Sequence, residues 1–331
     1  MRDRAKVVVA DFITDPLEPE RRILGDLAEL TALNARSESD LAGSVEDADA
    51  ILLYHFAGMG AGTIDRLERC RVIIRCGVGY DNVDCAAARR RGIPVANVPD
   101  YGTEDVADSA IGLMLALARS SHYLNSRLRR GEGDWIYSLA PPTYRLRGRV
   151  FGIAGIGRIG TATALRAKAL GMDVVYYDPY VPQGRDRSLG VRSVESFEEL
   201  LALAHVLSMH CPLTPETRHM INRRTLALMP RGSFLLNTAR GGVVDTLAVL
   251  EALESGQLAG AAIDVLEVEP PPPGDPLISA WRNPGHPAHD RLIINPHAAF
   301  YTEEGLMDIR VKSSRNCRRV LLGQPPHNVV N

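Results

Sequence analysis

Three polar residues of this chain, Arg240, Glu269 and His297, have the types needed to reduce a carbonyl that sits beside a carboxylate. Each follows a short apolar run that reads as a buried strand. Arg240 comes after Phe234-Leu235-Leu236-Asn237-Thr238-Ala239, Glu269 shortly after a run ending in Asp264, and His297 after Ile293-Ile294-Asn295-Pro296. Ligands of doubly wound sheets bind outside the carboxyl ends of the strands, so the three side chains could face one site. A guanidinium keeps its charge and grips a carboxylate with two parallel N–H groups. An imidazole titrates near neutral pH and can protonate a forming alkoxide. A carboxylate next to it would accept the other ring N–H and favour the charged ring. Singly, each residue has an ordinary reading as a surface ion pair, a solvated acid or a structural histidine. Together they need a hydride source.

The segment Gly155-Ile156-Gly157-Arg158-Ile159-Gly160 supplies the signature of one. It follows the apolar run Val150–Ala154, precedes a helical pattern, and is followed by Val174-Val175-Tyr176-Tyr177 ending in Asp178. Strand, glycine turn, helix, strand and acid in that order form the dinucleotide-binding fingerprint. Gly155 permits the tight turn, Gly157 lets the backbone approach a pyrophosphate, and Gly160 lets the helix pack on the strand. Ile159, Ala162, Thr163, Ala167 and Leu170 are expected to face inward, with Gly171 as the helix stop. Asp178 would accept ribose hydroxyls and repel a 2′-phosphate, which favours NAD over NADP, although Arg185 and Arg187 follow closely. About 150 residues precede this motif, so another unit must be folded from them.

Those residues alternate strand and helix patterns. Lys6–Ala10, Ala50–Tyr54, Val72–Arg75 and Val95–Asn97 read as strands, with helices expected over Glu18–Leu33 and Ile64–Arg69. A long apolar helical stretch, Thr103 to about Arg130, should be buried between domains or against a second subunit. Later strands are expected at His205–His210, Phe234–Asn237, Gly260–Asp264 and Leu292–Asn295, and Pro270 to Asp290 reads as surface loop. A helical pattern from Phe300 to Val320 should pack back on one of the two units, with the first favoured, which would make that domain discontinuous. The fold class is α/β: two Rossmann-like or flavodoxin-like doubly wound parallel-sheet domains.

The 331 residues carry a formal net charge of −2, which gives no electrostatic footprint for nucleic acid or anionic membrane. No apolar run approaches the ~20 residues that span a bilayer. Five cysteines in no C-x-x-C pair argue against a disulfide framework, and the opening Met1-Arg2-Asp3-Arg4 lacks a signal-peptide pattern, so a cytoplasmic protein is expected. His286-x-x-His289 lacks further ligands at metal spacing, so no metal site is expected. Asp81 and Asp84 read as turn and cap residues.

The chain resembles the D-isomer-specific 2-hydroxyacid dehydrogenases along nearly its whole length. The matching pieces are Cys76–Asp84, Thr103–Asp108, Gly155–Gly160 with Asp178, His210–Thr214, Asn237–Gly242, Asp264–Pro270 and Asn295–Ala299. The resemblance implies NAD as cofactor and a 2-keto or 2-hydroxy acid as substrate. It implies a substrate domain of residues 1–100 plus 300–331, a cofactor domain of 101–299, and an interdomain active-site cleft. It also implies a homodimer formed through the cofactor domain, with its helix at about 103–130. It implies catalytic roles for Arg240, Glu269 and His297, and a carboxylate-binding loop at Val78 and Gly79. It places Thr103, Gly155, Gly157, Arg158, Ile159, Gly160, Asp178, His210, Cys211, Pro212, Thr217, Thr238, Ala239 and Asp264 against NAD. Tyr54-His55, Ile73-Ile74-Arg75, Asp178-Pro179-Tyr180 and His297–Tyr301 are similar to the C-terminal-binding-protein corepressor branch, with Phe300 where that branch has Trp. On this likeness Tyr54, His55, Arg75 and Phe300 are expected to shape the substrate pocket, Arg75 as a second cation. Two functions are open: a 2-keto acid reductase, and an NAD-sensing dimeric interaction protein with little turnover. The three catalytic side chains favour the first.

Overall fold

The computed structural model describes residues 4–331. The chain divides into two compact units, one running to Gly102 and resuming at Thr302–Asn331, the other Thr103–Tyr301.

The first unit is built on strands β1 (Ala5–Asp11), β2 (Ala28–Ala35), β3 (Ala50–Leu53), β4 (Val72–Arg75) and β5 (Val95–Asn97), all parallel in the order β2-β1-β3-β4-β5. Every residue of β3, β4 and β5 is buried, as expected of strands covered on both faces. Helices α1 (Glu18–Leu24), α2 (Ala61–Asp65) and α3 (Cys85–Arg90) lie between the strands, and Asp84 caps α3 by accepting the Ala87 N–H at 2.8 Å.

The helix expected over Glu18–Leu33 is two elements. Gly25 and Asp26 end α1, and Ala28–Ala32 pairs with Ala5–Val9 as a parallel edge strand, with Ala28 and Leu30 inward and Glu29 and Thr31 outward. Strand alternation wins there because an open sheet edge is available to pair with. The helix expected at Ile64–Arg69 ends at Asp65, and Leu67 turns back into the core.

The second unit carries β6 (Val150–Ala154), β7 (Asp173–Tyr177), β8 (Arg192–Ser193), β9 (Val206–Met209), β10 (Ser233–Asn237), β11 (Leu258–Ile263) and β12 (Leu292–Ile294). Its parallel sheet runs β12-β11-β10-β9-β6-β7-β8. The strand order reverses between β6 and β9, which is where such sheets open a ligand crevice.

The expected helix from Thr103 to Arg130 is split into α4 (Thr103–Ala118) and α5 (Ser121–Arg129), because Ser120 takes a left-handed conformation with φ 52°. Then come α6 (Arg158–Ala169), α7 (Arg185–Leu189), α8 (Phe197–Leu203), α9 (Arg223–Leu226), α10 (Thr246–Glu254) and α11 (Pro276–Arg282). α11 lies inside the segment expected to be loop. Asp275 caps it by accepting the Ile278 N–H at 2.9 Å, and Pro276 fits its first turn, where no N–H is required. On α6, Ala162, Thr163 and Ala167 are buried as expected, but Leu170 is 38% exposed because the helix has already ended at Ala169.

The final helix, α12 (Glu303–Leu321), returns to the first unit. Arg310, 5% exposed, donates to both oxygens of the fully buried Glu20 at 2.7 Å each and to Asp15, joining α12 to α1. The tail then adds an antiparallel bridge, Ala96 with Val329, beside β5. Among the described residues no helix is long and apolar enough to cross a membrane, and the five cysteines form no disulfide.

Candidate active site

In the second unit the glycine turn is shaped by what a side chain would strike. Gly155 has φ 94°, and a Cβ there would meet the His210–Cys211 peptide at 2.9 Å, across the point where the sheet order reverses. A Cβ on Gly160 would lie 2.1 Å from the Gly155 oxygen, so only glycine lets α6 start against β6. At Gly157 a Cβ would meet nothing within 4 Å, which leaves the backbone open to a ligand. The first-turn N–H groups of α6 have no preceding carbonyl to bond and carry the positive end of the helix dipole, beside Arg158. Asp178 is oriented by the Ile156 N–H at 2.9 Å on one oxygen and the Tyr180 N–H at 3.0 Å on the other. Thr238, 8% exposed, has a buried Oγ1 without a hydrogen-bond partner. An open glycine turn, an oriented carboxylate and an orphaned hydroxyl at the β10 end fit a dinucleotide.

His210 lies at the crevice with its Nε2 2.8 Å from Ser208 Oγ, and burial pulls its pKa down to about 4, so it is neutral at working pH. The Cys211 thiol is pushed up to about 12 by burial, which makes it inert as a nucleophile. Thr217 folds its hydroxyl back onto the Pro212 carbonyl at 2.6 Å and closes its own loop. Gly160→Ala is expected to weaken NADH binding by ~10-fold or more through overpacking. A fluorescence titration reads this, and unchanged affinity would contradict it.

Three loops at the carboxyl ends of β10, β11 and β12 carry Arg240, Glu269 and His297. Asn237, fully buried, donates to the Arg240 carbonyl at 3.0 Å and accepts the Ala239 N–H at 3.1 Å, so it fixes the turn that carries Arg240. Gly241 lets this turn lie against the next loop, since a Cβ there would be 1.9 Å from the Leu266 carbonyl carbon. That next loop bears Glu269, whose Oε1 accepts the Leu266 N–H at 2.7 Å and whose Oε2 is 2.7 Å from His297 Nδ1. His297 stands in the left-handed region, φ 53°, with its N–H on the Asp264 carbonyl at 2.8 Å. The Asp264 carboxylate accepts the Ala298 and Ala299 N–H groups at 2.9 and 3.1 Å, and Ser109 Oγ of α4 donates to the Ala299 carbonyl at 2.9 Å. Burial raises the Asp264 carboxyl's pKa and the two amides oppose that shift. The Phe300 ring stands edge-on to His297, with centroids 6.1 Å apart.

The Asp264 carboxylate anchors the loop that presents His297. Asn237 and Gly241 were not singled out as site residues. An amide side chain at the last residue of a strand was the available signal for Asn237.

In the first unit Tyr54 departs from its expected role. Its ring is 2% exposed and belongs to the unit's own core with Cys76, Ile309 and Cys317, so only its backbone takes part in the loop. The His55 ring packs on Phe12 and Phe56 at 4.7 and 4.6 Å between centroids. Arg75 is 6% exposed and donates to the Cys76 carbonyl at 2.6 Å and to Asn82 Oδ1 at 3.2 Å. Val78 is 36% exposed, with its carbonyl held by Asn97 Nδ2 at 2.7 Å. His286 pairs with Glu254 at 3.1 Å, and His289 bonds the Trp281 carbonyl through Nδ1.

Residues 111–299 match the model of the D-isomer specific 2-hydroxyacid dehydrogenase NAD-binding domain. The chain belongs to the D-isomer-specific 2-hydroxyacid dehydrogenase family. A D-3-phosphoglycerate dehydrogenase of Methanocaldococcus jannaschii is 37% identical over 98% of this chain, which spans 60% of that relative's length. Among solved structures, the TT0316 protein of Thermus thermophilus superposes with a TM-score of 0.85 at 36% identity, covering 98% of this chain and 100% of its own. The D-lactate dehydrogenase of Aquifex aeolicus, complexed with NAD and lactic acid, superposes with a TM-score of 0.85 at 27% identity, covering 96% of each chain.

Proposed function

We propose that this chain interconverts a 2-keto acid and a D-2-hydroxy acid with NAD as the redox cofactor. The carrying observation is the 2.7 Å contact between His297 Nδ1 and Glu269 Oε2. Glu269 accepts a hydrogen bond from the Nδ1–H, which stays on the ring, and so turns Nε2 toward the reacting oxygen to deliver or take its proton. The cofactor supplies the hydride at the 2-carbon in reduction and takes it in oxidation. Arg240 grips the substrate carboxylate and polarises the carbonyl, with its turn stiffened by Asn237. In the first unit, the loop of Val78 and Gly79 offers backbone N–H groups suited to a carboxylate. The α4–α5 segment forms a homodimer. The family membership and the D-lactate dehydrogenase likeness support this reading, and the preassembled His–Glu pair favours turnover over cofactor sensing alone.

Steady-state NADH oxidation with glyoxylate, pyruvate, oxaloacetate and an aromatic 2-keto acid tests it. Turnover with at least one acid is expected. NADH binding without turnover of any would refute the enzyme reading in favour of an NAD-sensing protein.

A further inference from the structure

The first sheet also reverses its strand order, between β1 and β3, and so has a crevice of its own at their carboxyl ends. Asp11 closes β1 at that point and is fully buried. Its Oδ1 accepts the Tyr54 N–H at 2.6 Å, and its Oδ2 accepts the Phe56 and Ala57 N–H groups at 2.6 and 3.1 Å. Asn82 serves the other polarity of the same turn. Its Nδ2 donates to the Tyr54 and Ala57 carbonyls at 2.9 Å each, and its Oδ1 accepts Arg75 Nε at 3.2 Å. The Asn82 backbone carbonyl accepts the Met59 N–H at 2.8 Å.

A segment without regular structure, Tyr54–Ala57, thus has three of its N–H groups taken by one side chain and two of its carbonyls by another. Asn82 lies on the loop that also carries Val78 and Gly79, so a single amide ties the two loops together. Arg75 lies beneath: a Cβ on Gly77 would be 1.8 Å from its Nη1.

From this we infer that Asp11 and Asn82 are positioning residues that set the geometry of the two substrate loops, an inference that rests on the dehydrogenase reading. Neither is a catalytic residue. A buried carboxylate is costly to keep unless ion-accepting bonds compensate it, and three amides converging on Asp11 provide that compensation. Burial nonetheless raises the Asp11 carboxyl's pKa, against the amides and the nearby Arg75 charge. The loops are therefore held by groups that trade conformational freedom for a preformed carboxylate-binding edge.

Two nearly isosteric variants test this in the full chain. Asp11→Asn turns an NH2 group toward amide donors, and Asn82→Asp faces a carboxylate toward two carbonyls. Each is expected to raise KM for the 2-keto acid by ~10-fold or more, with kcat and NADH affinity unchanged. Amide hydrogen exchange at Tyr54, Phe56 and Ala57 is expected to accelerate by a similar factor, ~10-fold, relative to the rest of the first unit. Unchanged exchange together with unchanged KM would overturn the inference, as would an equal fall in kcat and NADH affinity. If the wild-type chain turned over no 2-keto acid, the enzyme reading would fail on its own, and the exchange measurement would still decide whether these residues anchor the loops. Asn82→Asp removes no buried charge and carries the test if Asp11→Asn does not fold.

Discussion

Replacing His297 with Asn is expected to lower kcat by ~10²–10⁴-fold, the range for losing a positioned general acid–base, while NADH affinity stays at the wild-type level. Asparagine is the appropriate substitute because His297 has φ 53°, a conformation that Asn tolerates better than most residues. The backbone bond from His297 to the Asp264 carbonyl and the two amides on the Asp264 carboxylate remain available, so the loop is kept and only the proton carrier is lost. Steady-state rates with NADH and the best 2-keto acid read the effect. A variant retaining wild-type kcat would remove His297 from the mechanism.

The second large effect is on folding. Arg310→Met leaves Glu20 as a buried charge without its bidentate partner, where it has no exposure to water. Breaking one side of a buried pair typically costs ~3–5 kcal/mol. The expected result is destabilisation of that size in urea unfolding, read by a probe in the first unit. The double variant Glu20→Met, Arg310→Met should recover most of the loss, since no buried charge is then left unpaired and Asp15, the other partner of Arg310, is 47% exposed and solvated. A single variant of wild-type stability would show that the α1–α12 junction does not rest on this pair.

Sequence periodicity located the strands that line the crevices because they are apolar throughout and bounded by Gly, Pro or Asp. Val72–Arg75, Val95–Asn97 and Val150–Ala154 have the expected limits. It failed where one pattern served two elements. Leu27, Leu30 and Leu33 fit a helix spacing, but pairing with β1 claims Ala28–Ala35, and no local feature of the sequence reports an unfilled sheet edge. The break at Ser120 was hidden for a related reason, since a left-handed residue other than glycine leaves little trace in composition. α11 was masked by the prolines around it, although Asp275-Pro276 is a proper helix start.

At the site, Arg240, Glu269 and His297 were legible because their side-chain chemistry is itself the signal. The groups that place them were not. Asn237 and Asp264 act by bonding backbone amides and carbonyls, as Asp11 and Asn82 do on the loops of the first unit, and which groups they meet is decided only when the loops come together. Tyr54 shows the converse. Its neighbours in sequence suggested a substrate contact, but its ring serves the core while its backbone serves the loop.

The most direct test of the central claim is the fate of the hydride. Pyruvate, or the best 2-keto acid from the panel, would be reduced with NADH deuterated at the transferable position of the nicotinamide. The product would then be resolved on a chiral column and examined for label. The account predicts the D-2-hydroxy acid with one deuterium at its 2-carbon. An L or racemic product, an unlabelled 2-carbon, or NADH binding with no product would contradict it.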